Sequence, residues 1–321
     1  LKTAATWSAG LLFLGVSVVV GCRVAGIDGI TPVPQFLAFL PWLLVPAGLG
    51  LLFALFSRWW FGVVWAVALF GLLAWFIEPY GKTGEPSGPA LVSFRVLTSN
   101  VEFGHATDDL VAAVRREKPD VVFVQECEYT CDARLREALG TGYPHRAAQV
   151  AGGSAGSVVL SRFPLDPADG DGIDGTMAMP GAVADVRGHA VRLQLAHPMP
   201  PLPGRTDLWR RELGELRDFA AEDAENTEGG GTPLVLAGDF NASQDHAAFR
   251  RILDTGLRDA ARLAGHDRTP SWPARTTPTF GAQIDHVLLS PDFSARTARF
   301  LDLSGTDHRA LLVDVTLHQR R

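Results

Sequence analysis

The chain has 321 residues, enough for one good-sized globular domain plus additional segments. Its formal net charge is −6, unevenly spread: residues 1–90 hold Lys2, Arg23, Arg58 and Lys82 against Asp28, Glu78 and Glu85, a balance of +1, so residues 91–321 carry −7. An acidic globular part speaks against a nucleic-acid binder that neutralises many phosphates, and leaves room for a metal-dependent enzyme acting on a single phosphate.

Three apolar stretches come first, at residues 4–21, 36–56 and 59–77. Each is close to the ~20 residues a helix needs to cross a bilayer core, so residues 1–80 read as a transmembrane segment. No small-residue cleavage site precedes Asp28, and the first stretch is therefore a span rather than a signal peptide. Arg58, between the second and third stretches, and Lys2 ahead of the first favour the cytoplasm, whereas Arg23 on the first loop points the other way. With the N-terminus inside and an odd number of spans, everything after Tyr80 is expected outside the cytoplasm, in a multi-pass cell-membrane protein. "GKTGEPSGPA" opens a short linker at residues 81–92, which holds the rest of the chain close to the membrane surface.

From residue 93 to 321 short β-rich runs alternate with amphipathic helices. "SFRVLTSNV" reads as a strand, "DDLVAAVRREKPD" as a helix stopped near Pro119, "VVFVQE" as a buried strand and "GSVVLSRFPL" as a strand entering a turn. "DPADGDGIDG" is Asp/Gly-rich but lacks calcium-loop spacing and reads as a plain turn. Then come the strand "HAVRLQLAH", the helix "DLWRRELGELRDFAAEDAE", the surface loop "AENTEGGGTP", the strand "PLVLAGDF", the short helix "FRRILDTGL" and the strands "IDHVLLS" and "ALLVDVTL". This order predicts a layered α/β domain on packed sheets. Cys127 and Cys131, spaced i, i+4, would bring their sulfurs together on a helix. A disulfide is allowed in an oxidising compartment, and a pair of free thiols is equally compatible.

Polar residues recur where the strands end: Asn100 with Glu102, Glu126, His197, Asp239 with Asn241, Asp285, and Asp307 with His308 before the last strand. Carboxylate and amide oxygens suit a hard cation, Mg2+ first and Mn2+ or Ca2+ as alternatives. Such an ion polarises a phosphoryl oxygen. An Asp beside an Asn can orient and deprotonate a water while holding phosphate, and a His backed by an Asp can donate to a non-bridging oxygen. The residue types therefore point to metal-assisted phosphoester cleavage. No G-x-S-x-G elbow or P-loop is present, which disfavours serine hydrolysis and nucleotide-triphosphatase chemistry. Trp272 either lines the cleft or packs beside it. Arg205, Arg210 and Arg211 form a solvated helix face, or one of them grips a second phosphate. His286 is expected to be partly buried, and His105, His145, His189, His246 and His266 are expected at the surface.

"LTSNVEFG", "PDVVFVQE", "GSVVLSRFPL", "LAGDFNAS", "IDHVLLS" and "GTDHRALLVDV", in this order, resemble the endonuclease/exonuclease/phosphatase superfamily over about residues 93–317. That superfamily includes DNase I-like nucleases, abasic-site endonucleases, neutral sphingomyelinases and inositol-phosphate phosphatases. The resemblance implies a DNase I-like four-layer α/β sandwich with the site at the rim of two packed mixed sheets. It implies Glu126 as principal metal ligand, with Asn100 beside it, Glu102 near the same cluster and Asp307 as a further metal-side acid. Asp239 and Asn241 match the pair that activates water and grips phosphate, His308 the phosphate-facing histidine, Asp285 its supporting carboxylate, and His197 a phosphate contact. Thr306 stands where a serine is more usual, Ser99 where an aromatic is more usual, and Glu102 where Asp is frequent.

The membrane anchor and the "HPMPP" stretch are similar to the actinobacterial teicoplanin-resistance membrane proteins, the VanJ-like group. That resemblance implies dephosphorylation of an undecaprenyl-linked phosphate, above all undecaprenyl pyrophosphate. The expected partners are a phosphate-bearing lipid and the bilayer, with nucleic acid disfavoured and no obligate protein partner. The rival readings are a tethered or periplasmic nuclease, a sphingomyelinase-like phospholipase C, and a non-enzymatic membrane protein that keeps the fold as a binding module.

Overall fold

The apolar front of the chain is helical in the computed structural model, which describes residues 1–166, 172–173, 175–225 and 231–320. Most of the Asp/Gly-rich turn and of the "AENTEGGGTP" loop lies outside the described residues. Helix α1 (Lys2–Ala25) is followed by a short α2 (Val33–Ala38), by α3 (Leu44–Ser57), which a 3₁₀ turn at Leu40–Leu43 leads in, and by α4 (Trp60–Ile77). Lys2–Ala25, Leu40–Ser57 and Trp60–Ile77 are each long and apolar enough to cross a membrane. Their outer faces expose Trp7, Leu11, Phe56, Phe61, Val64 and Trp75, a surface suited to lipid and not to water. At Gly50 a Cβ would collide with the Phe13 ring, so the small residue lets α1 and α3 approach closely.

The second apolar stretch begins later than its sequence indicates. Phe36 belongs to α2, the chain bends at Phe39 (φ −104°, ψ 28°), and the long helical run starts only at Leu40. Pro41 has no N–H to offer the Leu37 carbonyl, so α2 cannot run on. Leu1, Ala4 and Ala5 lie beside Leu52, Phe53 and Phe56, so α1 and α3 are antiparallel. Ala25 and Ile77 therefore sit at the opposite end of the bundle from Lys2 and Arg58.

The remainder is built on two six-stranded sheets. In chain order the strands are β1 (Ala90–Asn100), β2 (Val121–Gln125), β3 (His145–Gln149), β4 (Ser157–Ser161), β5 (Leu165–Asp166) and β6 (Gly181–Asp185). They continue as β7 (Ala190–Ala196), β8 (Leu234–Asp239), β9 (Arg258–Asp259), β10 (Asp285–Leu289), β11 (Phe293–Leu301) and β12 (Ala310–His318). Between them lie α5 (Thr107–Glu117), α6 (Tyr129–Leu139), α7 (Thr206–Glu225), α8 (Ala247–Leu253) and α9 (Ala260–Leu263). One sheet runs β11-β12-β1-β2-β4-β3 and the other β5-β6-β7-β8-β10-β9. Each has a single parallel pair at its centre, β1 with β2 and β7 with β8, flanked by antiparallel partners.

Val96, Phe123, Leu193, Val235, Ala237 and Val313 fill the space between the sheets. Leu234 and Leu236 face the other way, onto Trp209, Leu213 and Phe249 of the covering helices. Burial on both faces explains why "LVLA" is an unbroken apolar run without alternation. α5 and α6 cover the outer face of the first sheet with Leu110, Val114 and Leu135.

The globular part is not a body on a loose tether. Asp28, on the loop after α1, accepts the Ala248 N–H (2.8 Å) and so caps α8, which lacks a side-chain cap of its own. Arg268 donates to the Phe76 and Ile77 carbonyls at the end of α4 (2.7 and 2.8 Å) and grips both oxygens of Asp245. Arg23 of α1 approaches the same Asp245 at 3.7 Å. Tyr80 is held at both ends, its N–H by Gln244 and its hydroxyl by Asp254, each at 2.7 Å. The stretch after it is laid along the domain, with the Gly88 carbonyl accepting from His318 (3.0 Å) and the Pro89 carbonyl from Gln319 (2.9 Å).

The cysteine geometry also differs from the helical expectation. Cys127 and Cys131 do form a disulfide (Cα–Cα 5.2 Å), but only Cys131 is helical. Cys127 precedes Glu128, whose carboxylate caps α6 by accepting from Thr130 and Cys131.

Candidate active site

Two parallel strand pairs that end on the same rim bring the polar strand ends together. β1 delivers Asn100, β2 leads into Glu126, β7 into His197, and β8 ends on Asp239. β10 runs antiparallel to β8 with Asp285 paired to Asp239, so it starts at the rim where β8 stops. β12 is likewise antiparallel to β1, and Asp307 and His308 lie just before it. Gly238 is required by the close approach of β7: a Cβ there would collide with the Ala196 carbonyl.

Left-handed backbone gathers around this rim. Glu102, Phe103, Glu126 and Asn241 have φ between 42° and 57° although none is glycine. Each costs roughly 1–3 kcal/mol and persists only where its surroundings over-determine it. The restraints are visible. The Glu102 N–H bonds Asn100 Oδ1 (2.9 Å), the Phe103 N–H bonds Glu126 Oε2 (3.0 Å), and the Asn241 N–H bonds Asp239 Oδ1 (2.8 Å). The Asn241 carbonyl accepts the indole N–H of Trp209 (3.1 Å).

At the centre, Asn100 Nδ2 donates to both Asp239 Oδ2 (3.1 Å) and Glu126 Oε1 (3.2 Å). His308 lies between acids, with Nδ1 on Asp285 Oδ2 (3.0 Å) and Nε2 at 3.7 Å from Asp239 Oδ2 and 3.8 Å from Asp307 Oδ1. Ligand atoms of Asp239, Asp285 and His308 all fall within 4.8 Å of one another. His197 Nε2 is 4.0 Å from Glu126 Oε1, and its Nδ1 has no partner. Asn241 Nδ2 donates to the Pro198 carbonyl (3.0 Å), which leaves its second amide hydrogen free. Two hydroxyls, Thr306, marked in the sequence only as a departure from serine, and Ser271, unmarked there, complete the site. Thr306 Oγ1 donates to the Asn100 carbonyl and accepts the His308 N–H, both at 3.0 Å, while buried Ser271 Oγ accepts the Ile284 and Asp285 N–H groups.

Burial governs the charges. It raises the Asp239 carboxyl to about 7, against the pull of the His308 charge and with the push of Asp285. It also raises Glu126 above the ordinary carboxylate range, which its bond from Asn100 only partly offsets. Burial drives His197 down to about 3, so this imidazole is neutral. His308 behaves oppositely. Burial would lower it, but the charges of Asp285 and Asp239 outweigh that and hold it at about 10. Asp285 Oδ1 is buried without a partner. A buried set of oxygen donors of which one cation, His308, faces several carboxylates fits a hard divalent ion.

Other sequence-marked residues lie elsewhere. The Glu102 carboxylate turns to Arg275. Arg205 is exposed and is not among the residues lining the pocket above the cluster. Arg210 pairs with Asp28 (3.4 Å) and lines a separate basic cavity with Arg211, Arg217 and Arg251. Trp272 borders the pocket and donates its indole N–H to Asp307 Oδ2 (2.8 Å). His286 is a core residue bonded to Asp259 (2.6 Å) and the Ala242 carbonyl (3.1 Å). His246, expected at the surface, is buried: it accepts the Ser243 N–H and reaches the Pro34 carbonyl (2.8 Å) of the membrane segment.

Residues 97–308 match the Endonuclease/Exonuclease/phosphatase family. Among solved structures the chain is similar to an endonuclease/exonuclease/phosphatase from Beutenbergia cavernae, at 23% identity over 70% of this chain and 72% of that one (TM-score 0.55). It is also similar to TDP2 from Caenorhabditis elegans (16%, 70% and 75%, TM-score 0.54) and to sphingomyelinase C from Streptomyces griseocarneus (18%, 70% and 99%, TM-score 0.51). No curated protein matches it. At such identities the likeness establishes the fold alone: two mixed sheets flanked by helices, the DNase I-like α/β sandwich that the sequence implied.

Proposed function

The chain belongs to the Endonuclease/Exonuclease/phosphatase family, and on that premise we propose that it is a membrane-anchored, metal-dependent phosphoesterase whose substrate is a lipid-linked phosphate. The family comprises phosphoesterases and nucleases and is typically dependent on divalent metal. One observation carries the choice of a lipid. The pocket above Glu126, Asn241 and His308 is walled on one side by Pro34, Gln35, Ala38 and Phe39, which connect two membrane-crossing helices. A phosphate in that pocket lies beside the bilayer. The acidic balance of residues 91–321 weighs against a duplex nucleic acid.

Charge and redox chemistry together support an extracytoplasmic side for the domain. Lys2 and Arg58 share the end of the bundle away from the domain, and both favour the cytoplasm. Arg23, which argued otherwise, is engaged by Asp245 as an internal pair. The Cys127–Cys131 disulfide suits an oxidising compartment. On that face undecaprenyl pyrophosphate is the substrate we propose, and its dephosphorylation, recycling the carrier lipid, would contribute to teicoplanin resistance as in the VanJ-like group.

In this mechanism ionised Asp239, its carboxylate aimed by the Asn100 amide and the Asn241 N–H, takes the proton of a water whose oxygen bonds the terminal phosphorus, while the bond from that phosphorus to the bridging oxygen breaks and undecaprenyl phosphate leaves. Cationic His308, steadied by Asp285, donates Nε2–H to a phosphate oxygen as charge builds there. Asn241 offers its remaining amide hydrogen to the same phosphate, and His197, kept neutral by burial, has one ring N–H to donate. A divalent ion, when bound at Glu126, Asn100 and Asp307, would polarise the phosphoryl group.

Full-length protein in detergent with Mg2+ should release phosphate from undecaprenyl pyrophosphate, and Asp239→Ala should lower turnover by ~10²–10⁴-fold. Plasmid nicking without lipid dephosphorylation would show a nuclease instead. Release of choline phosphate from sphingomyelin vesicles would show a phospholipase C.

A further inference from the structure

The pocket above the catalytic cluster, about 370 Å³, has two chemically different sides. Its floor is polar, with Glu126, Asn241 and His308. Its wall is apolar, with Pro34 and Phe39 from the membrane segment facing Leu202 and Trp272 of the globular part. No lysine or arginine is among the described residues lining it, a lining unsuited to tracking a second phosphate along a polymer.

The wall continues toward the bilayer as a series of rings. Trp272, whose indole N–H holds Asp307, meets Phe39 edge-on at 6.1 Å. Phe39 stacks on Phe280 at 5.3 Å, and Phe280 meets Trp42 at 4.9 Å. Trp42 belongs to the 3₁₀ turn that opens the second membrane-crossing run. Leu202 (51% exposed), Phe103 (48%) and Phe280 (37%) stand open to solvent around the site. Exposed apolar residues concentrated at a catalytic rim mark contact with an apolar ligand. A phosphate headgroup by itself would use none of them.

We propose that Phe39, with Trp272 and Phe280, forms a track for the hydrocarbon chain of the substrate and makes chain length a determinant of specificity. The inference rests on the lipid-phosphate reading and adds to it the residues that select the lipid. Phe39 is the sensitive position because it is the link between the globular wall and the membrane segment, at the bend that Pro41 enforces.

The test uses the full-length chain in detergent micelles and compares isopentenyl pyrophosphate with farnesyl pyrophosphate, which carry the same headgroup on short and long chains. Loss of a buried aromatic contact should reduce kcat/KM for the long chain by about tenfold or more, mainly through KM. Phe39→Ala should lower the long-chain value about fivefold or more beyond any loss on the short chain, and Phe39→Leu should restore most of that difference. A farnesyl analogue with a diazirine in its chain should crosslink to the segment 34–42. Equal loss on both substrates would make Phe39 a mere support for Trp272 and overturn the inference, as would an unchanged ratio or crosslinking elsewhere. Wild-type protein that hydrolyses neither substrate would instead remove the lipid-phosphate reading itself, and the track with it.

Discussion

At the Asp239 carboxylate two donors and one cation meet: the Asn241 N–H on one oxygen, the Asn100 amide on the other, and His308 Nε2 at 3.7 Å. The carboxyl sits at about 7 and the imidazole at about 10, so one can accept a proton while the other remains charged over the same pH interval. Activity should therefore fall as pH drops through the Asp239 value and Asp239 becomes protonated. It should fall again as pH rises through the His308 value and the imidazolium is lost. Because the Asp285 charge is the largest of the influences that raise His308, Asp285→Asn should move the alkaline limb of the pH–rate profile down toward the ordinary imidazole value. An alkaline limb unmoved in Asp285→Asn would show that another group controls it. The same residue scale explains Thr306. A hydroxyl suffices to tie the Asn100 carbonyl to the His308 N–H, and threonine supplies it as serine would.

Among the elements, the junction between the helical bundle and the sandwich carries the most concentrated polar bonding. Asp245 is fully buried, accepts both Arg268 nitrogens at 2.6 and 3.0 Å, and faces Arg23. Arg268 in turn satisfies carbonyls at the end of α4, which have no partner within their own helix. Asp245→Ala removes the shared counter-charge from two largely buried guanidiniums and should destabilise the protein by about 3–5 kcal/mol. Thermal unfolding of the purified protein in detergent checks this, and an unchanged midpoint would mean that the junction is held by its apolar contacts alone. Asp245 lies only four residues beyond Asn241. The docking contact and the Asn241 amide at the candidate site are thus consecutive features of one loop.

For the whole molecule, the arrangement places the candidate site against the connection between two helices long and apolar enough to cross a membrane, and leaves its rim apolar. That geometry has a direction. A fusion of alkaline phosphatase after Arg321 should be active and a fusion of green fluorescent protein at the same point dark, because the domain lies at the end of the bundle away from Lys2 and Arg58. The reverse pattern would put the domain in the cytoplasm and exclude a substrate on the outer leaflet.

Much of the chemistry was legible in linear form because strand ends are local. "GDFN" reads as a strand tip since Gly238, Asp239 and Asn241 lie within four consecutive residues, and "QE" and "TDH" are equally compact. Both-face burial made the central strands apolar runs, and charge-free length made the three membrane-crossing helices readable. Edge strands escaped this reading. β3 ("HRAAQ") and β11 ("FSARTARFL") lie at the sheet edge with half-exposed, polar sequences, and pairing rather than pattern makes them strands. His246 was misread for a related reason: what buries it is Pro34, distant in sequence, and no local signal records that contact. Arg210 was likewise drawn away from phosphate by Asp28. The sequence by itself determined the fold class, the polar residues at the strand ends and the apolar helices, because each is written in short-range periodicity or short motifs. Only the tertiary structure decided that the anchor is docked and forms part of the pocket wall, because that depends on bonds joining residues 23–39 and 76–80 to residues 244–272 across the full length of the chain.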